Sequence, residues 1–283
     1  MAIKTILVCL TSEANSASLM RAACILARAH EAHLIGLHTI QSMAVYPGIA
    51  VHIPDSAFEQ FNAAQLKQAD DIKAIFDDHT ESENFVSEWR QQHAKSTRAS
   101  DRIMDSARIA DLILLPNEDP ELERADQHHL QEDVIRESGR PVLIVPIEFE
   151  QKTIGASALI GWNDTREAAR AAHDALSLMN AEGQENAEAH ILRVHGDDDD
   201  LIHDATLTDL AAALARHDIE TSIGHRAWQR HAVAETIEQE AFERGCDLIV
   251  VGAFSHSRVY EVIHGATTRE FLKHAKRPIL FSR

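Results

Sequence analysis

This chain carries the same text twice, and any fold proposed for it has to accommodate the repeat. Val8-Cys9-Leu10-Thr11 lies against Ile160-Gly161-Trp162-Asn163 at an offset of 152, and Ala32-His33-Leu34 against Ala189-His190-Ile191 at 157, as if the second copy had gained five residues around Ala181 to Glu188. The ends match as well: ADLILLP from Ala110 resembles CDLIVVG from Cys246, and GRPVLIVP from Gly139 resembles KRPILFSR from Lys276. Asp111 to Pro141 spans 30 residues and Asp247 to Pro278 spans 31. A repeat of this length is a duplicated domain rather than a solenoid. With 283 residues in all, each copy is long enough to bury a core of its own. The expected domains are 1–148 and 155–283, joined by the unpatterned stretch IEFEQKTIGA.

Within a copy, apolar runs alternate with amphipathic, Ala-rich stretches: strand, helix, strand, helix, strand, helix, strand, helix, strand. In the second copy strands are expected near 157–162, 189–195, 219–226, 247–251 and 279–282, and helices near 165–180, 203–216, 231–244 and 265–274. Near-continuous apolar strands alternating with helices predict an α/β fold of two tandem doubly wound domains, each a mainly parallel five-stranded sheet with helices on both faces. Ligands of such sheets bind outside the carboxyl ends of the strands, at the switch in strand order. That places Asn163, Val194 and the loop after Gly252 on one edge.

The stretch DLIVVGAFSHSRVYEVIHGATTREF is strand, short polar loop, then helix. A buried strand ending in Gly252, followed by Ser255, His256, Ser257 and, ten residues after Ser255, Gly265, leaves backbone N–H groups free near a helix start, an arrangement that suits phosphate. A formal charge of −18 argues against nucleic acid or an anionic membrane as partner, since both need a basic footprint. No apolar run approaches the ~18 residues of a membrane span and no leader pattern opens the chain, so a cytoplasmic protein is expected. Cys9, Cys24 and Cys246, odd in number and set in apolar patterns, read as reduced core thiols.

The loop resembles the signature of the universal stress protein family: Gly, two residues, Gly, nine residues, then Gly followed by Ser or Thr. Here it reads Gly252, Ala253-Phe254, Ser255, nine residues, then Gly265-Ala266-Thr267-Thr268, and Ile160-Gly161-Trp162-Asn163-Asp164-Thr165 resembles the family's first-strand motif. The resemblance spans both halves. It implies an adenine-nucleotide α-hydrolase-like fold and a stress-response module holding ATP or another adenine nucleotide, with or without Mg²⁺, and acting through protein partners. Carried over by position, it implies a site of Gly161, Trp162, Asn163, Val194, Val251, Gly252, Ser255, His256, Ser257, Gly265, Ala266, Thr267 and Thr268. Asn163 would stand near ribose or phosphate, Val194 would meet adenine through its backbone, and Gly252 would let the chain pass the sugar. It also implies pairing through last strands, Val142 to Val145 meeting Ile279 to Phe281 as a pseudo-dimer within the chain, and a homodimer of two chains. Ser255 in place of the second Gly, Ala266 in place of a hydroxyl residue, and Asn163 in place of Asp depart from the pattern.

The first copy departs further. Pro116-Asn117-Glu118-Asp119-Pro120-Glu121-Leu122-Glu123 stands where the second has its glycine loop, His128 and Leu130 stand opposite Gly265 and Thr267, and Thr11 replaces the family's Asp. Two prolines lack the amide donors a phosphate needs and four carboxylates repel it, so this half is expected to bind no nucleotide in the family manner. The apolar-rich segment from Gln41 to Ser56 reads as a lid or an interface loop, and the run Asp197 to Asp200 as a solvated loop. Histidine pairs such as His128-His129 or His30 with His33 lack metal-ligand spacing, and Asp111 and Asp247 read as turn residues before buried strands. No Walker loop, Gly-x-Ser-x-Gly elbow or Ser-His-Asp set assembled by spacing occurs. Three classes stay open: a nucleotide-binding regulatory module, a slow ATP hydrolase or nucleotidyl-transferring enzyme, and a nucleotide-free dimerising scaffold.

Overall fold

The computed structural model describes residues 2–40, 54–93, 99–118, 129–181, 186–196, 205–227, 233–254 and 261–283, with 261–266 as backbone alone. The first half runs β1 (Thr5–Cys9), α1 (Glu13–His30), β2 (His33–Ile40), α2 (Asp55–Thr80), β3 (Ser87–His93), α3 (Ala99–Ala107), β4 (Leu112–Pro116), α4 (Leu130–Glu137) and β5 (Val142–Val145). The second repeats it as β6 (Ser157–Gly161), α5 (Arg166–Met179), β7 (Glu188–His195), α6 (Ala205–Ala215), β8 (Glu220–Ala227), α7 (Val233–Glu243), β9 (Leu248–Gly252), α8 (Glu261–His274) and β10 (Ile279–Ser282).

The strands form one ten-stranded sheet in the order β3-β2-β1-β4-β5-β10-β9-β6-β7-β8. Read inward from either end, each half has the same doubly wound order. All pairings are parallel except the seam, where β10 meets β5 antiparallel: Ile279 opposite Ile144, Leu280 opposite Leu143, Phe281 opposite Val142. This is the intrachain pseudo-dimer that the resemblance implied. All six side chains are fully buried, so the seam lies inside the two cores and not at the surface.

Side chains alternate between two cores as the pleat requires. Ile6, Val8, Leu112, Leu114, Leu143, Leu248, Val250 and Leu280 pack under α1, α2, α5 and α6, while Leu7, Ile113, Leu115, Ile144, Ile249, Val251 and Phe281 pack under α3, α4, α7 and α8. Helices therefore cover both faces and both cores run across the seam. The reversal in strand order falls between β1 and β4, and between β6 and β9.

Asp111 and Asp247 do the same mechanical work in the two halves. Asp111 accepts from the N–H groups of Lys4 (2.9 Å) and Thr5 (3.0 Å) at the start of β1. Asp247 accepts from Gly155 (2.9 Å), Ala156 (3.1 Å) and Ser157 (3.1 Å) before and at the start of β6, and from the Thr153 hydroxyl (2.6 Å). Each ties the start of one strand to the start of its neighbour, as the turn reading predicted.

Two expectations need correcting. The register Cys9 opposite Leu37 and Gly161 opposite Leu192 puts the second strands at an offset of 155, not 157. A slip of two residues keeps every side chain on its own face, so the hydrophobic pattern alone does not fix it. Helix α8 begins at Glu261, four residues before the expected start, because the Glu-Val-Ile-His run before Gly265 has no breaker in it. The expectations for Gln41 to Ile53, for Asp197 to Asp200 and for Asp119 to His128 lie outside the described residues. Cys9, Cys24 and Cys246 are buried free thiols. Burial pushes the Cys24 thiol up to about 12.

Candidate functional site

The carboxyl ends of β6 and β9 meet at the second-half switch point, with Gly161 directly opposite Val251. A Cβ on Gly161 would stand 3.1 Å from Val251 Cγ1 and 3.4 Å from Ile237 Cδ1, so the close pairing favours glycine. The Trp162 N–H donates to the Leu192 carbonyl at 2.9 Å and carries the chain one step past the strand. The Trp162 indole N–H then donates to Asp164 Oδ1 (2.8 Å) and Thr206 Oγ1 (3.1 Å). Asp164 sits in the left-handed region (φ 56°) and also receives the Thr206 hydroxyl and the Arg193 guanidinium. Burial pushes the Asp164 carboxyl up, but the Thr206 and Arg193 bonds and the Arg193 charge outweigh it and leave the group below the usual carboxylate range.

Asn163 uses its side-chain oxygen to accept from the Thr165 hydroxyl at 2.7 Å, and Thr165 caps α5 by accepting from the Ala168 N–H at 3.2 Å. Val194 lies near the end of β7 and packs against the core under α7.

Gly252 ends β9 against the first turn of α5. A Cβ there would come within 2.5 Å of the Ala168 nitrogen, 2.6 Å of the Glu167 carbonyl carbon and 2.9 Å of Glu167 Cβ. Helix backbone therefore fills the space that its missing side chain opens. The turn continues with the Ala253 N–H donating to the Ser282 carbonyl (2.9 Å) and with Phe254 in the left-handed region (φ 51°). For a bulky residue that conformation costs on the order of 1–3 kcal/mol. The Arg136 guanidinium of the first half holds it by stacking 3.6 Å from the Phe254 ring centroid, while the Phe254 N–H faces the buried Thr268 hydroxyl at 3.5 Å, longer than a formed hydrogen bond.

Of the residues singled out by sequence, the fold brings Gly161, Trp162, Asn163, Val251, Gly252 and Thr268 to one corner. Ser255, His256 and Ser257 lie outside the described residues. Gly265 and Ala266 fall in the second turn of α8 rather than at its start, followed by half-buried Thr267. Asp164, Arg193 and Thr206 were not singled out. Asp164 stands one residue past the family position and Arg193 one before Val194, while Thr206 is 42 residues from Asp164 and carries no signal in the sequence.

The first-half corner is built differently. Thr11 is buried and accepts from Asn15 Nδ2 at 3.1 Å. Pro116 ends β4, and Gln131, the counterpart of Thr268, donates to the Pro116 carbonyl at 3.1 Å. Asn117 donates its side-chain amide to the Ala275 carbonyl (2.9 Å) and Glu118 its N–H to the Leu272 carbonyl (2.9 Å). Burial holds the Glu118 carboxyl above its usual range. Groups that would be open to a ligand here are spent on the other half's last helix. Of the histidines, His129 stands at the N-cap of α4 and His33 faces Glu88 at 3.6 Å. No described helix is long and apolar enough to cross a membrane.

Comparison with known proteins agrees with this architecture. The model of the Universal stress protein family matches twice, over residues 2–146 and 157–283. Among solved structures, a universal stress protein from Archaeoglobus fulgidus DSM 4304 is similar at a TM-score of 0.71 and 14% identity, over 98% of this chain and 96% of that one. A protein of unknown function from Pseudomonas aeruginosa PAO1 is similar at 0.60 and 15% identity, over 99% and 92%. A search of curated proteins by sequence finds no match. With two family matches in succession on one continuous sheet, the chain belongs to the universal stress protein family.

Proposed function

We propose that the second half holds an adenine nucleotide, ATP or a relative of it, and that the chain works as a cytoplasmic stress-response regulatory module, acting through a protein partner and pairing with a second copy. One observation supports this best. The turn after β9 lies at the switch point, strained at Phe254 and braced by Arg136 of the first half, and the sequence beyond it keeps the family's spacing to Gly265. Strain at a ligand-facing turn is a mark of function rather than of stability. The equivalent turn of the first half is closed by Gln131 and tied to Leu272 on α8 and to Ala275 just after it.

The site's chemistry supports a nucleotide whose Mg²⁺ arrives on its own phosphates. Asn163 is an amide, and the Asp164 carboxylate is already held by Arg193 and Thr206. The test is mass spectrometry of the supernatant after denaturing the purified chain. An adenine nucleotide near one equivalent, absent from a Gly265→Glu variant that adds a carboxylate at the family's third glycine position, is the expected result. No nucleotide in either would overturn the reading and leave the scaffold class, whereas steady hydrolysis lost in the same variant would favour the enzyme class.

A further inference from the structure

A second polar constellation lies at the far edge of the sheet. β7 and β8 run in register so that His190 faces Ser222, and α7 packs over β7. The His190 ring is 4% exposed, with Nδ1 2.9 Å from the Ser222 hydroxyl and Nε2 3.4 Å from Glu240 Oε1. The second distance is longer than a formed hydrogen bond. Glu240 is itself 2% exposed, whereas Ser222 is exposed on the last strand. Gly224 makes room for the ring: a Cβ there would stand 2.6 Å from Nε2.

The neighbours set the protonation pattern. Glu240 is gripped by Arg244 Nε at 2.6 Å and Arg226 Nε at 2.7 Å. Burial pushes its carboxyl up, but the Arg244 bond and the two cations outweigh burial and keep it ionised, below its usual range. An ionised carboxylate only accepts, so the tautomer that suits this contact puts the hydrogen on Nε2 of His190 and leaves Nδ1 to accept from the Ser222 O–H. That is the proton order of a nucleophilic serine.

We propose that Ser222, His190 and Glu240 form a nucleophilic serine site, distinct from the nucleotide corner, that acts on small activated carboxylic esters. Ser222 Oγ bonds to the carbonyl carbon while its proton passes to His190 Nδ1. Collapse breaks the bond to the alcohol, which leaves with that proton. A water then attacks the acyl-serine, gives its proton to Nδ1, and frees the acid as Ser222 regains its hydrogen. The Glu220 N–H points toward β7, to the carbonyl of Ala187 just before that strand (3.0 Å). Backbone direction alternates along a strand, so the N–H of Ile223 points away from β7, beside the nucleophile, where it can meet the developing oxyanion.

The base is weak but available. Burial, and then the Arg244 charge, bring His190 to about 4 against the opposing pull of Glu240 and with Arg226 adding to the fall. The ring is therefore neutral throughout the neutral range. Full-length protein treated with a fluorophosphonate, which phosphonylates activated serines with loss of fluoride, should carry one adduct. Peptide mapping should place it on Ser222, forming about 10²-fold faster than on an unassisted serine. Ser222→Ala should abolish it and His190→Gln should slow it at least about tenfold. Should His190→Gln fail to fold, the pH profile of the unaltered chain decides. The site predicts a flat labelling rate from about pH 5 to 8, the ring being neutral throughout, whereas an unassisted serine gains about tenfold per unit as its alkoxide forms. No adduct, an adduct elsewhere, or the steep profile would overturn the proposal.

Discussion

The two halves share a skeleton and differ at one corner. Strand order, the aspartate before β4 and β9, and the N–H that carries the chain past each of those strands are the same: Asn117 donates to the Val145 carbonyl, Ala253 to that of Ser282. Beyond those bonds the halves diverge. In the first a proline ends the strand and side chains close the turn, whereas in the second a glycine passes against α5 and a strained phenylalanine leads toward α8. Cores and clamps are constrained by packing at every position. A turn at the sheet edge is free to lose a ligand site once its twin keeps one.

The largest break in that comparison is at Gly252. Gly252→Val places atoms on the α5 backbone, which cannot yield as a side chain can. It should cost more than about 3 kcal/mol, while the equivalent Pro116→Val should cost under about 1 kcal/mol, both read from denaturant midpoints. Next come the clamps. Asp247→Ala orphans three N–H groups and a hydroxyl, Asp111→Ala two N–H groups. At roughly 1–3 kcal/mol for each buried donor left unmade, discounted for water and relaxation, losses of about 3 and about 1.5 kcal/mol are expected. Equal losses would deny that the second half is the more tightly tied.

Acid should act unevenly too. The folded-state value of Asp164 lies below its unfolded one, so its stabilisation is complete above the ordinary carboxylate range and fades as pH falls through the folded value. The first-half counterpart is Ser12, which does not titrate there. Amide exchange measured from pH 5 to 3 should show the β6–α5 corner opening before the β1–α1 corner, and Asp164→Asn should reduce that difference. The smallest effect is at Arg269, whose guanidinium meets Glu132 across the seam at 2.8 Å while 56% exposed. Arg269→Ala should cost within about 1 kcal/mol, and less at high salt.

Much of the fold is legible in the sequence because duplication makes each half a check on the other. Matching apolar runs locate the strands, and the turn aspartates read correctly because a carboxylate before a buried strand has few other uses. The second-strand offset is not legible, since 155 and 157 bury the same face. The start of α8 is obscured because Gly265 suggests a helix boundary where the chain uses it inside a helix. At the site, neighbours in sequence such as Gly161 and Trp162 can be found by motif. Asp164, Arg193 and Thr206 cannot, nor can Ser222, His190 and Glu240, because each set draws on separate elements that only the sheet brings together.

Isothermal titration of the full chain with ATP, after any co-purified nucleotide has been stripped, tests the asymmetry most directly. One site per chain is predicted, abolished by Gly265→Glu in the second half and untouched by Thr11→Ala in the first. Two sites, none, or a site lost with Thr11→Ala and kept with Gly265→Glu would contradict the account.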